Sequence, residues 1–379
     1  MQDLSLQQLT EIRDALAERI QDGLTREGQQ VACLPAYLSP PPRGLSGQAL
    51  VVDAGGTNLR TAWVEIGQAT GYRALAGPLT ATLPDGRQAP VSGTEFFDFQ
   101  AEQLRALGAP VDLPLGYCFS YPTAVERDGD ARLLYWTKGI RVSGVEGTLV
   151  GQALRQSLGG RGGVKVLNDT VAALLGGALG AAGDYQHFIG LIVGTGTNAA
   201  TFFPGSKITK LSQPWEGSMA VNLESGNFHP PHLSEVDERL DQASDNPGCQ
   251  RYEKAISGYY LPRLFALLCP DLPVGEEESS QLLVEWADRP DDGPPSLAAR
   301  WLLARSADLV AGGLAAVAAH LEPGSLAIQA EGGLFWNATG YSDRVQSTLS
   351  RLVPSNRRFQ IVRVEDVNLL GAAAAALSG

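Results

Sequence analysis

Asp53-Ala-Gly-Gly-Thr-Asn-Leu-Arg60 stands between two runs that read as strands, residues 49–52 before it and 59–66 after it. A chain that leaves a buried strand and returns at once as another needs a tight turn. Adjacent glycines supply it and leave no Cβ between the backbone N–H groups and a bulky anion. A phosphate can rest on such a turn, against Gly55, Gly56, Thr57 and Asn58. Asp53, at the end of the first strand, is then placed to hold a magnesium ion through water. On these eight residues alone an ordinary hairpin is an equal reading.

The design recurs. Ile189-Gly-Leu-Ile-Val-Gly-Thr-Gly-Thr-Asn198 is again a buried strand, a glycine turn and a further apolar run over 199–203. Two such turns on separate strands suggest a clamp on a polyphosphate, with Gly194, Thr195, Gly196 and Thr197 as the second jaw. A third element, Glu331-Gly-Gly333, ends the strand-like run 326–330, and Gly332 and Gly333 would let an adenine or ribose lie against backbone. There is no Gly-x-x-x-x-Gly-Lys-[Ser/Thr] segment and no strand-then-helix Gly-x-Gly-x-x-Gly. A P-loop NTPase and a Rossmann dehydrogenase are therefore disfavoured.

Around these turns, apolar runs at 113–119, 164–167, 188–193 and 326–330 alternate with helix-like stretches, which indicates an α/β protein. Ser5 and Gln8 form a capping-box pattern ahead of Leu9, Ile12, Leu16, Ile20 and Leu24, spaced as one face of a helix. Residues 38–47, rich in proline and glycine, read as a linker. The acidic, proline-bearing stretch 270–295 reads as surface loop and short helix, and residues 296–320 as a long, largely buried helix.

A chain of 379 residues favours two domains, with a cleft between them as the expected binding place. The net charge of -12 and the scattered basic residues exclude nucleic acid and anionic membrane as natural partners. Cys33, Cys118, Cys249 and Cys269 form no CxxC pair, so free thiols in a reducing cytosol are expected. No apolar run approaches the ~20 residues needed to cross a bilayer, and a cytoplasmic location is the expectation.

Taken in order, the motifs resemble the hexokinase family, within the actin-like (ribonuclease H-like) ATPase fold. Asp53 to Arg60 resembles its first phosphate motif. Leu115-Gly-Tyr-Cys-Phe-Ser-Tyr-Pro122 with Trp136-Thr-Lys-Gly139 resembles its sugar signature, and Val166-Leu-Asn-Asp-Thr-Val171 its catalytic segment. Gly190 to Asn198 resembles the second phosphate motif, Val221-Asn-Leu-Glu-Ser-Gly-Asn-Phe228 a sugar loop, and Gln250 to Gly258 the helix that follows. The resemblance implies an ATP- and Mg2+-dependent kinase that phosphorylates a hexose, glucose first, at its 6-hydroxyl. Asp169 would be the general base and Lys138 its cationic companion. Ser120, Thr137, Lys138, Asn168, Asn198 and Glu224 would hold the sugar hydroxyls. It also implies a small domain over 48–167 plus 366–379, a large domain over 1–47 plus 168–365, closure on sugar binding, and a monomer or homodimer.

By residue type alone, Asn168-Asp169-Thr170 reads first as a helix N-cap, a role compatible with catalysis. One departure stands out. Where the family has a glutamate that binds the sugar near C1 and C2, this chain has Arg263. That exchange motivates the alternative of a hexose-binding sensor without turnover. Glu331 and the run Glu365-Asp-Val-Asn-Leu-Leu-Gly371 also depart from the family pattern.

Overall fold

The computed structural model describes residues 1–56, 58–67, 71–137, 139–275 and 278–378. The chain divides into two compact units, one of Pro35–Gly183, Gly217–Val221 and Arg363–Gly379, the other of Met1–Leu34, Asp184–Glu216 and Asn222–Val362.

The first unit is built on a five-stranded sheet in the order Val164–Leu167, Leu115–Phe119, Gly47–Ala54, Asn58–Gly67, Gly71–Thr82. The first three strands run parallel, and the last two add antiparallel. Strand Gly71–Thr82 is not among the strands read from the sequence, and it carries Gly71, Gly77 and Pro78. It survives as an outer strand, where glycine and proline are tolerated. The register sets the site: Asp53 lies beside Cys118 on one side and Arg60 on the other, and Leu167 lies beside Cys118. Three parallel strands thus end abreast, and the residues that follow Leu167 are Asn168 and Asp169.

The C-terminal helix Val367–Leu377 is wedged against this sheet and against helix Asp169–Gly180. A Cβ added at Gly371 would sit 1.9 Å from the Ala172 carbonyl oxygen, and one at Gly116 would sit 2.0 Å from that of Ala372. Only Cα hydrogens fit at these crossings. The same packing moves the expected boundary, since residues 168–183 belong with the strand they follow and with the C-terminal helix, not with the other unit.

In the second unit, strands run in the order Thr197–Pro204, His187–Val193, Leu326–Glu331, Phe359–Val362. The first pair is an antiparallel hairpin and the rest are parallel. Each unit therefore repeats one plan, a strand-turn-strand hairpin continued by parallel strands. Helix Leu6–Thr25 carries the expected capping box at Ser5 and buries Leu9, Ile12, Leu16, Ile20 and Leu24 against the long helix Pro294–Ala319.

That long helix corrects one expectation, because it is long and apolar enough by length and composition to cross a membrane. Its most apolar window is 89% buried inside the protein. It also carries Arg305, bonded to Asp237 on both carboxylate oxygens, and Asp308, bonded to Arg344 and Thr348. These are the features of a core helix, in which buried charge is paired.

Gly371→Ala is expected to destabilise the first unit by about 1–3 kcal/mol, as overpacking does. Chemical denaturation monitored by circular dichroism checks this; an unchanged midpoint would mean that the helix shifts without cost.

Candidate active site

The first unit gathers its polar residues where the parallel strands end. Burial pushes the Asp53 carboxyl above its ordinary range, and the charge of Asp169 adds to the rise. Hydrogen bonds from the Cys118 thiol and the Asn368 side chain, together with the Arg60 charge, oppose it. Cys118 is itself fully buried, and burial beside Asp53 and Asp169 holds its thiol protonated. The side-chain oxygen of Asn368 is buried with no partner. Asp53, the neighbouring charge of Asp169 and the unpaired Asn368 oxygen form an oxygen-rich corner.

Asp169 opens helix Asp169–Gly180, and Asn168 is its N-cap, accepting from the Thr170 N–H at 2.9 Å. One oxygen of Asp169 accepts from the same N–H at 2.7 Å and from the Thr170 hydroxyl at 3.3 Å. Its carboxylate is partly exposed at the head of the helix, where the dipole favours negative charge. Cap and candidate base therefore coexist.

Ser120 is buried and donates its backbone N–H to the Ala54 carbonyl at 3.2 Å. The Tyr121 hydroxyl donates to the Gly55 carbonyl at 2.6 Å, so the segment Leu115–Pro122 is bonded to the first glycine turn. Trp136 packs edge-on to Phe96, Phe119 and Tyr121 and donates its indole N–H to the Val142 carbonyl at 2.8 Å. Thr137, next in the chain, is half-buried. Gly56 and Asn58 flank the turn. Thr57 and Lys138 lie outside the described residues.

In the second unit, the turn closes by a bond from the Gly194 N–H to the Gly196 carbonyl at 2.9 Å. Thr195 is exposed on it, but Thr197 is not an open donor: its N–H goes to Glu253 at 2.9 Å and its hydroxyl to the Ile192 carbonyl at 3.0 Å. Both of its donors are therefore engaged within this unit, one by Glu253 and one by the strand before the turn.

Asn198 holds the candidate sugar loop. Its amide donates to Asn222 at 2.6 Å, and its oxygen accepts from the Ser225 N–H at 3.2 Å. Asn222 in turn donates to Glu224 at 2.7 Å. Glu224 has φ of 54°, a left-handed backbone that a non-glycine residue adopts at a cost of the order of 1–3 kcal/mol and that clusters at ligand sites.

Gly332 has φ of 115°, and an added Cβ there would stand 2.1 Å from the Val193 carbonyl oxygen. Gly332 and Gly333 thereby lie against the Gly194 turn. Beside them is a cavity of about 340 Å³, lined in part by Thr195, Tyr259, Gln281, Gly333 and Asn337. Its size and mixed lining suit a nucleoside. Arg263 lies over the ring of Tyr259, 3.7 Å from its centre, and donates to the Tyr259 carbonyl at 2.5 Å.

Cys118, Tyr121, Asn222, Glu253 and Asn368 were missing from the residues picked by sequence. All five lie inside stretches quoted above, and only their contacts reveal them. Among the described residues no group of three or more His, Cys, Asp or Glu side chains could hold a metal ion.

A glycine turn on a hairpin of the same plan in each unit, with a carboxylate at a strand end, fits a sugar kinase of the actin-like fold. Family models described as hexokinase match residues 1–179 and residues 188–284 with 297–378. The chain belongs to the hexokinase family. The hexokinase of Schistosoma mansoni is 29% identical and aligns over 99% of this chain and 95% of its own length. Human Hexokinase-2 is 33% identical over 70% of this chain, which spans 30% of that longer protein. The solved structure of the Schistosoma enzyme complexed with glucose superposes with a TM-score of 0.85 at 28% identity, covering 100% of this chain and 96% of that one. A ROK glucokinase from Streptomyces griseus, in complex with glucose and AMPPNP, shares the fold at a TM-score of 0.55 and 20% identity, over 86% of this chain and 98% of that one.

Because burial raises the pKa of Asp53, its ionisation costs stability as pH climbs from the ordinary aspartate range through the folded value. Asp53→Asn should therefore raise the thermal midpoint of the ligand-free protein at pH 7 to 8, and the gain should vanish towards pH 4. Calorimetry across that range tests it; a destabilised variant at pH 8 would show that the charged form is favoured.

Proposed function

We propose that the protein transfers the γ-phosphoryl group of ATP to the 6-hydroxyl of a hexose, with Asp169 as general base. The observation that carries this reading is the partly exposed Asp169 carboxylate, held at a helix N-terminus beside the corner of Asp53 and Ser120.

In this reading Asn168, Asp169, Ser120, Thr137, Asn198 and Glu224 are the residues that hydrogen-bond the sugar. These groups include both donors and acceptors, as hydroxyls require. Asp169 accepts the 6-hydroxyl proton as that oxygen attacks phosphorus. The new O–P bond forms while the bond to the bridging oxygen breaks, and ADP leaves with the electron pair. The N–H groups of Gly55 and Gly194 close their own turns, and Lys138 with the remaining N–H groups of the two turns meets the charge on the transferred group, the main requirement of phosphoryl transfer. Magnesium, held through water at Asp53 and served by the unpaired Asn368 oxygen, would supply the remaining positive charge. The cavity beside Tyr259 and Gly333 takes the adenosine. Closure of the units on sugar binding completes the reading by excluding water.

A coupled ADP-release assay over glucose, fructose, mannose and glucosamine is expected to show sugar-dependent turnover. Sugar binding without turnover would overturn the kinase reading. Asp169→Ala should lower kcat by about 10²- to 10⁴-fold with the fold intact, and a loss of about tenfold or less is too small for a general base. Arg263→Glu should lower KM for glucose by restoring an acceptor at this position; an unchanged KM would show that position 263 does not reach the sugar.

A further inference from the structure

Tyr259 and Arg263 stand four residues apart where the chain enters helix Leu261–Leu268, a spacing that sets two side chains on one face. Pro262 lies in the first turn of that helix, where its fixed φ is already helical, and the Arg263 N–H donates to the Tyr260 carbonyl at 3.0 Å. The guanidinium therefore covers one face of the Tyr259 ring, 3.7 Å from its centre. The ring of Tyr260 meets it at right angles, with centroids 4.8 Å apart.

The backbone beneath this ring is held as well. The Tyr259 N–H donates to the Thr195 carbonyl at 3.2 Å, and the Gly258 N–H donates to the Gly194 carbonyl at 2.7 Å. A Cβ at Gly258 would stand 2.8 Å from that same Gly194 oxygen, so a glycine is needed for the close approach. Tyr259 is thus mounted directly on the second glycine turn.

Despite these neighbours, Tyr259 remains 46% exposed. A single exposed aromatic would need no explanation on an open surface. This one lines the cavity of about 340 Å³, and Arg263 does not, so the cavity meets the ring on surface that the guanidinium leaves open. Val284 and Leu334 add apolar wall, Gly333 adds bare backbone, and Gln281 and Asn337 add amides that both donate and accept. A slot of this make-up, adjoining a glycine turn, fits a flat heteroaromatic group that is linked to phosphates.

We infer that Tyr259 is the platform on which the nucleobase of the phosphoryl donor stacks, and that Arg263 is the positioning residue that holds the ring for it. The inference deepens the kinase reading and rests on it for the identity of the donor. Cation–π attraction keeps the ring in one place before the nucleotide arrives, so less freedom is lost when the base lands. Stacking acts through ring area and tolerates any base. A purine covers more of the ring than a pyrimidine, and the site therefore favours purine donors.

The test is calorimetric binding of ADP, CDP and inorganic tripolyphosphate, with magnesium present, to the wild type, Tyr259→Ala, Tyr259→Phe and Arg263→Ala. The wild type should bind ADP more tightly than CDP. Tyr259→Ala should weaken ADP binding by about 5- to 150-fold, the usual effect of removing one base–aromatic stack, while tripolyphosphate, which has no base, binds as before. Tyr259→Phe, which keeps the ring, should bind ADP as the wild type does. Arg263→Ala should weaken ADP less than Tyr259→Ala and leave tripolyphosphate unchanged. In turnover, Tyr259→Ala should raise KM for ATP far more than it lowers kcat, because a stack at the base is the same in the ground and transition states.

Unchanged ADP affinity in Tyr259→Ala overturns the proposal. So does an equal loss of ADP and tripolyphosphate in that variant, which would make the ring a mere support for the turn. A parallel loss of tripolyphosphate in Arg263→Ala would put the guanidinium on the phosphates and overturn its positioning role. Should Tyr259→Ala fail to fold, equal affinity of the wild type for ADP and CDP decides against the platform. A wild type that shows the expected base selectivity but phosphorylates no hexose would instead defeat the kinase reading and leave the platform standing.

Discussion

Three parallel strands that end in register are the constraint on which the first unit's chemistry depends. Asp53, Cys118 and Leu167 lie side by side. The chain beyond Leu167 then turns directly into the helix that carries Asp169. The charge of Asp169 is thereby brought close enough to add to the cost of ionising the buried Asp53. Buried donors, the Cys118 thiol and the Asn368 amide, keep the expense bounded without neutralising it.

The second unit meets a different demand. Its turn has few side chains of its own, so its shape must come from neighbours. Glu253, Gly258 and Tyr259 bond it from one side, and Gly332 approaches from the other so closely that no Cβ fits. Rigid support of this kind prepays the ordering that an anion would otherwise impose on a glycine-rich loop.

The exchange of a family glutamate for Arg263 has a structural counterpart. The guanidinium is stacked on Tyr259 and bonded to its carbonyl, which places its charge at the ring that lines the nucleoside-sized cavity. A cation over an aromatic face is attracted by the ring quadrupole, so the substitution gives Tyr259 a fixed neighbour.

Read alone, the sequence determined the α/β class, the two glycine turns, the capping box at Ser5 and the strand-to-helix placement of Asp169. Each is a local matter of period, turn chemistry or capping, written within a few residues. The edge strand Gly71–Thr82, the grouping of residues 168–183 with the C-terminal helix, and the roles of Cys118, Asn222, Glu253 and Asn368 were decided only by tertiary structure. They arise from contacts between segments far apart in the chain: Gly371 against Ala172, Asn368 against Asp53, Glu253 against Thr197. Thr197 shows the difference most plainly, since its residue type suits a phosphate, but the fold directs both of its donors inward.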